Sequence, residues 1–189
     1  LIDPDGRGMA PQAEAWTYNF NTQKNGLSAQ QEMEIARQRF GISLTQNSYG
    51  LALSYLCADY KALVYRTDDY WIDFLAGYVP TLTHIFAAGN DGESCQELML
   101  REYGKPGYGT STNRAKNAIH VGAVNEVGEL ASTSSRGPQD DGRLFPTICA
   151  KGVEVWSTMP GNTYAKMSGT SMACPTVTGT AALIQQRYG

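Results

Sequence analysis

Segments typical of β-strands and of α-helices alternate along this 189-residue chain, and this alternation constrains its fold more than any other feature. Short apolar runs predict strands at Ala13–Phe20, Ile42–Asn47, Thr83–Ala88, Ala118–Val124 and Val153–Thr158. Helix-start signals and helical spacing predict helices that begin at Ser28, near Thr67 and at Thr170. Such alternation is typical of an α/β fold with three layers, a parallel sheet with helices on both faces.

The first predicted helix has the clearest local signals. Ser28 followed by Gln31 is a capping-box pattern, and Gly41 is a typical stop signal. The apolar residues between them share one helical face: Ala29, Met33, Ala36 and Phe40. A second helix begins in the Thr67–Asp69 run, and a third covers Thr170–Tyr188. In the second helix three aromatic residues share one face: Trp71, Phe74 and Tyr78.

Composition limits the classes of function. The length suits a single domain, residues 1–189, and 42% hydrophobic residues exclude a disordered chain. The net charge is −3 and no block of Lys and Arg stands out, so we expect no binding of nucleic acid. The longest unbroken apolar run has six residues, too few for a membrane-spanning helix, so we expect no membrane contact.

The four cysteines show no pattern typical of a metal site. They form no CxxC pair, and neither of the two histidines lies at metal-ligand spacing from a cysteine, so we predict no metal site. An even number of cysteines suits two disulfides in an oxidising compartment. Four buried free thiols are the alternative. The residues concerned are Cys57, Cys95, Cys149 and Cys174.

A turn of small residues, 168–170, leads directly into the last predicted helix and places Ser171 at its N-terminus. Unpaired backbone N–H groups and the helix dipole at this position favour developing negative charge. Ser171 is therefore a candidate nucleophile. The alternative is that Thr170 or Ser171 simply caps the helix.

Asn90 follows a short apolar strand and the turn residue Gly89, at the sheet edge where α/β proteins bind ligands. An amide in that place can donate a hydrogen bond to an oxyanion. An ordinary turn asparagine is the alternative. The polar turn 133–138 indicates, by itself, only a loop.

Taken together and in this order, these segments resemble the subtilisin-like serine peptidase family. GTSMACP at 169–175 resembles its nucleophile motif, AAGN at 87–90 its oxyanion-hole motif, and SSRGP at 134–138 the loop between them. Lys116–Val124 resembles the strand that precedes this loop, and Gly8–Ala13 resembles the GVAPxA stretch of the family. The resemblance covers nearly the whole chain and is closest to secreted bacterial members, which implies a secreted or cell-surface location.

The resemblance also implies roles for individual residues. Ser171 is expected to form the acyl-enzyme, and the oxyanion is expected to bind to the Asn90 amide and the Ser171 N–H. An extended peptide or protein substrate is expected to lie between two backbone walls. These walls are Ser48, Tyr49 and Gly50 on one side and Ala87, Ala88 and Gly89 on the other. The loop Asn21–Gly26 matches a further wall. Calcium is common in the family, but no ligands are assignable here, and no other cofactor is implied.

The chain departs from the family pattern in its catalytic base. The family places its Asp and His before the GVAPxA stretch, which begins here at Gly8, and nothing upstream resembles their motifs. His84 and His120 are predicted to lie about 20 Å and about 13 Å from the catalytic edge, in the core or at its rim. We therefore expect an N-terminally truncated peptidase domain that is inactive alone. A non-catalytic peptide-binding module is the alternative.

The family's arrangement carries two further expectations. It implies the disulfides Cys57–Cys95 and Cys149–Cys174. It also places the strand of the catalytic Asp between the strands that match Ala13–Phe20 and Ile42–Asn47. Without that strand, Ala13–Phe20 is expected to close directly against Ile42–Asn47, to pair with a second copy of the chain, or to pair with the missing segment from a separate polypeptide.

Overall fold

The computed structural model describes residues 6–18, 26–50, 64–109 and 113–189. These residues form four helices and six strands. In chain order they are α1 (Ala29–Phe40), β1 (Leu44–Asn47), α2 (Thr67–Tyr78), β2 (Thr83–Ala87), α3 (Gln96–Tyr103), β3 (Ala118–Val124), β4 (Ile148–Lys151), β5 (Val155–Met159), β6 (Thr163–Met167) and α4 (Thr170–Tyr188).

Four of the strands form one parallel sheet, in the order β1-β2-β3-β4. The remaining strands, β5 and β6, form a separate antiparallel hairpin. Parallel neighbours end at the same edge, so the turns after β1 and β2 lie side by side. The predicted α/β class is confirmed.

The core has two halves because successive side chains of a strand point to opposite faces of the sheet. On one face, Ile85 and Val121 pack with Ala173 and Cys174 of α4. On the other face, Phe86 packs among residues that include Met33 of α1 and Ile72 of α2. The predicted three layers, helix–sheet–helix, are therefore present.

Local signals place α1 correctly. The Ser28 hydroxyl accepts a hydrogen bond from the Gln31 N–H, and the Gln31 side chain accepts one from the Ser28 N–H. Gly41 ends the helix in the left-handed conformation, with φ of 64°. Its predicted apolar face is buried at Met33 and Ala36, whereas Phe40 lies partly in solvent.

The aromatic residues of α2 share one face as predicted, and that face is exposed. Trp71, Phe74 and Tyr78 are 43%, 46% and 70% accessible, whereas Ile72 and Leu75 are buried.

Within the described parts of the chain, no helix combines the length and apolarity that crossing a membrane needs.

The predicted strand Ala13–Phe20 is wrong for residues 13–18, which form no strand; residues 19 and 20 lie outside the described residues. Trp16 instead stacks on Phe40 at the end of α1, with ring centroids 3.6 Å apart. Direct closure against β1 is also wrong, because β2 is the only strand paired with β1 among the described residues. The segment 13–18 is thus held by aromatic stacking on α1 and not by the expected strand pairing with β1.

The C-terminal half differs from the prediction in its pairing. The last predicted strand, Val153–Thr158, begins two residues later and pairs antiparallel with β6 outside the main sheet. The sheet is instead completed by β4, which the sequence pattern did not reveal, and α3 was not predicted either. With only four residues, three of them exposed, β4 is too short for its apolar residues to form a distinctive pattern.

Both histidines lie in the core, on the face of the sheet that packs against α1 and α2. His84 is 0% exposed, and its Nδ1 lies 2.9 Å from the Thr45 hydroxyl. His120 is 3% exposed, and its Nε2 lies 2.8 Å from Oδ1 of Asn113. Burial lowers the pKa of each imidazole to about 4. Both are core histidines, as predicted.

The predicted disulfide Cys149–Cys174 is wrong, since both thiols are free. The Cys174 Sγ lies 3.7 Å from the Ile85 carbonyl oxygen, between α4 and β2. Cys149 lies on β4, two strands away, and a Cβ built on its neighbour Gly122 would lie 2.8 Å from its Sγ. Gly122 and Cys149 therefore share the face opposite to α4. Cys57 lies outside the described residues, so the pair Cys57–Cys95 stays a prediction.

Thiol titration tests this arrangement. We expect two reactive thiols in the denatured, unreduced chain, because the predicted Cys57–Cys95 bond removes the other two. In the native chain Cys149 should react first, since Cys174 is fully buried. Four thiols after denaturation would contradict the Cys57–Cys95 pair, and none would contradict the free Cys149 and Cys174.

The buried histidines predict that the fold loses stability as the pH falls from 7 to 5. Their pKa is 6.5 when unfolded and about 4 when folded, so the unfolded chain binds more protons between these values. Their stabilisation is complete above pH 6.5 and is lost toward pH 4, at most about 3 kcal/mol for each histidine. Urea unfolding at several pH values should show that the free energy of unfolding depends less on pH in the variant His84→Gln/His120→Gln than in the wild type. An unchanged dependence in that variant would contradict this assignment.

Candidate active site

The turn before α4 adopts a backbone conformation that only glycine takes readily. Gly169 has φ of 151° and ψ of 167°, and it directly precedes Thr170 and Ser171 in the first turn of α4. A Cβ at position 169 would lie 3.2 Å from Nδ2 of Asn90. The glycine therefore lets the start of α4 approach the turn after β2 closely.

A second glycine, Gly152, seats this turn against the sheet. Its carbonyl accepts a hydrogen bond of 2.7 Å from the Gly169 N–H. A Cβ at position 152 would lie 2.7 Å from both Ala123 Cβ and the Gly169 carbonyl oxygen. Any larger residue would push the start of α4 away from the ends of β3 and β4.

Asn90 is held by Thr170 through its amide oxygen. Oδ1 accepts hydrogen bonds from the Thr170 N–H at 2.8 Å and from the Thr170 hydroxyl at 3.1 Å. The same hydroxyl accepts from the Gly89 N–H at 3.1 Å. Because Oδ1 is engaged, Nδ2 is the group left to donate, and Asn90 is exposed.

Ser171 lies on the first turn of α4 beside the end of β1. Its Oγ is 3.4 Å from the Ser48 carbonyl oxygen, and the Ser48 hydroxyl donates to the Ser171 carbonyl at 2.9 Å. Gly169 is the N-cap, and neither Thr170 nor Ser171 caps the helix. Simple capping therefore does not explain these two residues.

The SSRGP loop lies against the turn that carries Asn90. The Ser135 N–H donates to the Gly89 carbonyl at 2.9 Å, and the Ser135 hydroxyl accepts from the Asp91 N–H at 3.1 Å. The Gly92 N–H donates to the Thr133 carbonyl at 2.9 Å. Thr170 and Ser135 thus hold this turn from two sides, whereas the sequence pattern indicates only a possible helix cap at Thr170 and no role of its own for Ser135. Small hydroxyl residues are common in turns, so the sequence carries no signal that marks these two.

The predicted walls lie at the neighbouring ends of β1 and β2, where Asn47 pairs with Phe86. Tyr49 is half-buried and meets the Phe86 ring edge-on at 6.2 Å, and burial raises the pKa of Tyr49 to about 12. The other predicted wall residues range from buried Ala87 and Ala88 to exposed Gly50. Of the further predicted wall, Asn21–Gly26, residues 21–25 lie outside the described residues.

Most backbone donors at the start of α4 are already engaged: the Thr170 N–H donates to Asn90 Oδ1, and the Met172 and Ala173 N–H groups donate to the Gly169 carbonyl. The Asn90 Nδ2 and the Ser171 N–H have the chemistry to stabilise negative charge beside the Ser171 hydroxyl. A base must lie within about 3 Å of the hydroxyl to activate it. Among the described residues, no carboxylate or imidazole hydrogen-bonds to the Ser171 hydroxyl, whose recorded partner is the Ser48 carbonyl.

A groove of about 670 Å³ borders the first turns of α4. Met172 and Pro175 form one side, residues 6–9 another, and residues 153–157 a third. Its lining carries charges of both signs, from Arg7, Glu126, Lys151, Glu154 and Lys166.

Nowhere in the described ranges do three or more His, Cys, Asp or Glu residues form a group that could hold a metal ion.

Comparison with solved structures shows the fold. A mutant of the protease domain of PatA matches 84% of this chain and 50% of that chain, with a TM-score of 0.58 and 21% identity. At this identity the likeness concerns the fold alone.

Sequence comparison shows the family. Subtilisin from Bacillus pumilus is 42% identical over 102 residues, which cover 54% of this chain and 32% of that protein. Subtilisin Savinase from Lederbergia lenta is 41% identical over 102 residues, 53% of this chain and 36% of that protein. The chain thus spans about a third of the length of these two relatives. The model of the subtilase family, Peptidase_S8, matches residues 3–189, so this chain belongs to the subtilase family.

Proposed function

We propose that this chain is part of a secreted or cell-surface serine endopeptidase that cleaves peptide bonds through an acyl-enzyme on Ser171. The observation that carries the proposal is the placement of Ser171 and Asn90. The amide oxygen of Asn90 is fixed by Thr170 at 2.8 Å, which leaves its NH₂ group to donate beside the serine. A simple turn or a helix cap does not require both features together.

In the proposed reaction, the Ser171 oxygen attacks the scissile carbonyl carbon. The carbonyl oxygen becomes an oxyanion, which accepts hydrogen bonds from Asn90 Nδ2 and the Ser171 N–H. When the C–N bond breaks, the proton taken from the hydroxyl passes to the leaving amine. Water then hydrolyses the ester and restores Ser171.

The base that removes the proton is proposed to come from outside these 189 residues. The chain contains two histidines, and both are buried among Thr45, Asn113 and the apolar core. The groove that borders Met172 and Pro175, in the same first turns of α4 that carry Ser171, offers room for a further segment. The chain alone, as a single domain of residues 1–189, is therefore expected to be inactive.

The unpaired edge of β1 supports the same proposal. Among the described residues β1 pairs with β2 alone, so one row of its backbone groups remains available for a further strand. We propose that a strand from the segment that carries the base occupies this edge, with a second copy of the chain as the other candidate partner.

The proposed substrate is an extended peptide or protein. It would lie between Ser48–Gly50 and Ala87–Gly89, where short side chains and glycine bring backbone groups close to the substrate. Backbone pairing of this kind depends little on the substrate's side chains.

The proposal predicts that the isolated chain does not hydrolyse casein, whereas a longer form with the family's Asp and His does. In that longer form, Ser171→Ala should lower kcat by about 10⁴-fold or more. Asn90→Ala should lower kcat by about 10²- to 10³-fold with little change in KM, because it removes a donor that acts in the transition state. Ser43→Ala, which removes a hydrogen bond to Gln185 at the far end of α4, serves as the control and should leave kcat unchanged.

Two outcomes would contradict the proposal. Turnover by the isolated chain at the rate of the longer form would show that the base lies within these residues. A longer form that binds peptide without cleaving it would favour the alternative, a peptide-binding module that retains the groove.

A further inference from the structure

Pro175 removes one hydrogen-bond donor from the interior of α4. In a regular helix the N–H of residue 175 would donate to the carbonyl of Ser171, four residues earlier. Proline has no N–H, so this bond is absent from the helix. The carbonyl left without its usual helical donor belongs to the candidate nucleophile.

Ser48 supplies a donor to that carbonyl. Its hydroxyl lies 2.9 Å from the Ser171 carbonyl oxygen, although the two residues are 123 positions apart in sequence. The contact is partly buried, where an unsatisfied carbonyl would be costly. One hydroxyl thus joins the end of β1 to the first turn of α4.

Gln46 determines the direction of this hydroxyl. Its Nε2 donates to the Ser48 Oγ at 2.5 Å, so the hydroxyl accepts there and directs its own proton to Ser171. The contact is reciprocal, because the Ser171 Oγ lies 3.4 Å from the Ser48 carbonyl oxygen. The orientation of Ser171 is therefore tied to the end of β1 at two points.

We propose that the Ser48 side chain is a positioning residue that replaces the hydrogen bond removed by Pro175 and so fixes the backbone of Ser171. Its catalytic consequence rests on the proposed function, but the hydrogen bond itself does not. As part of the proposed substrate wall Ser48 contributes its backbone, and its hydroxyl has this separate positioning role.

The test is a double-mutant cycle on the full chain, measured by urea unfolding. Ser48→Ala should lower the folding equilibrium constant by about fivefold to tenfold, the loss expected for one partly buried hydrogen bond. Pro175→Ala restores the helical N–H, so Ser48→Ala should cost less than about twofold in that background. Ser48→Thr keeps a hydroxyl and should retain most of the stability.

Ser43 provides a matched control. Its hydroxyl donates to Gln185 Oε1 at 2.7 Å and ties the beginning of β1 to the far end of α4. Ser43→Ala should therefore cost the same whether residue 175 is proline or alanine. The carbonyl ¹³C resonance of Ser171 should move in Ser48→Ala and stay in place in Ser43→Ala. Equal costs of Ser48→Ala in both backgrounds, or an unmoved resonance, would overturn the proposal.

The effect of Ser48 on catalysis is measured in the longer form that carries the base. Ser48→Ala should lower kcat by about 10- to 100-fold with KM nearly unchanged, since a displaced nucleophile affects the chemical step. Pro175→Ala should restore part of that loss. An inactive wild-type longer form would refute the proposed function and leave the stability result standing. An active longer form with an unchanged kcat in Ser48→Ala would refute the positioning role.

Discussion

The hydrogen bond from the Thr170 N–H to the Asn90 amide oxygen, 2.8 Å long, joins the end of β2 to the start of α4, and the site depends on it. It requires that two backbone turns lie in direct contact. Gly169 and Gly152 permit this contact, because a Cβ at either position would meet Asn90 or the backbone of the turn. A backbone constraint thus fixes the separation between the serine and the amide.

Local sequence signals predicted the elements whose stabilising contacts are also local. The ends of α1 follow from Ser28, Gln31 and Gly41, because the hydrogen bonds that form these caps join residues three or four positions apart. The strand β3 was placed with its exact bounds, Ala118–Val124, because it is apolar and buried on both faces. For such elements the local sequence is nearly sufficient to predict where the helix or strand begins and ends.

Elements that depend on distant partners were not predicted correctly. The segment at residues 13–18 has the composition of a strand, but Trp16 stacks on Phe40 and the residues form no ladder. The strand β4 is largely exposed and is defined by its pairing with β3. Cys174 is three residues from Ser171, yet the pitch of α4 directs it under β2 and away from Cys149. These outcomes depend on tertiary contacts, which no local pattern encodes.

In the candidate site, too, local motifs predicted some residues, and others could be recognised only from tertiary contacts. Motif resemblance identified Ser171 and Asn90, and the structure places both at one junction. It did not identify the hydroxyls that hold them, because Thr170, Ser135 and Ser48 act across distances of 44 to 123 residues. Small polar residues are common in turns, so only the folded arrangement distinguishes those that position a neighbour.

The central proposal is that the chain contains a preformed oxyanion site and a serine that has no base among the described residues. The most direct measurement is labelling with a fluorophosphonate, followed by mass spectrometry. Without a base the hydroxyl remains protonated and weakly nucleophilic. The isolated chain should therefore label no faster than its Ser171→Ala variant, whereas a longer form that carries the base should label at Ser171. Rapid, stoichiometric labelling of Ser171 in the isolated chain would contradict the account.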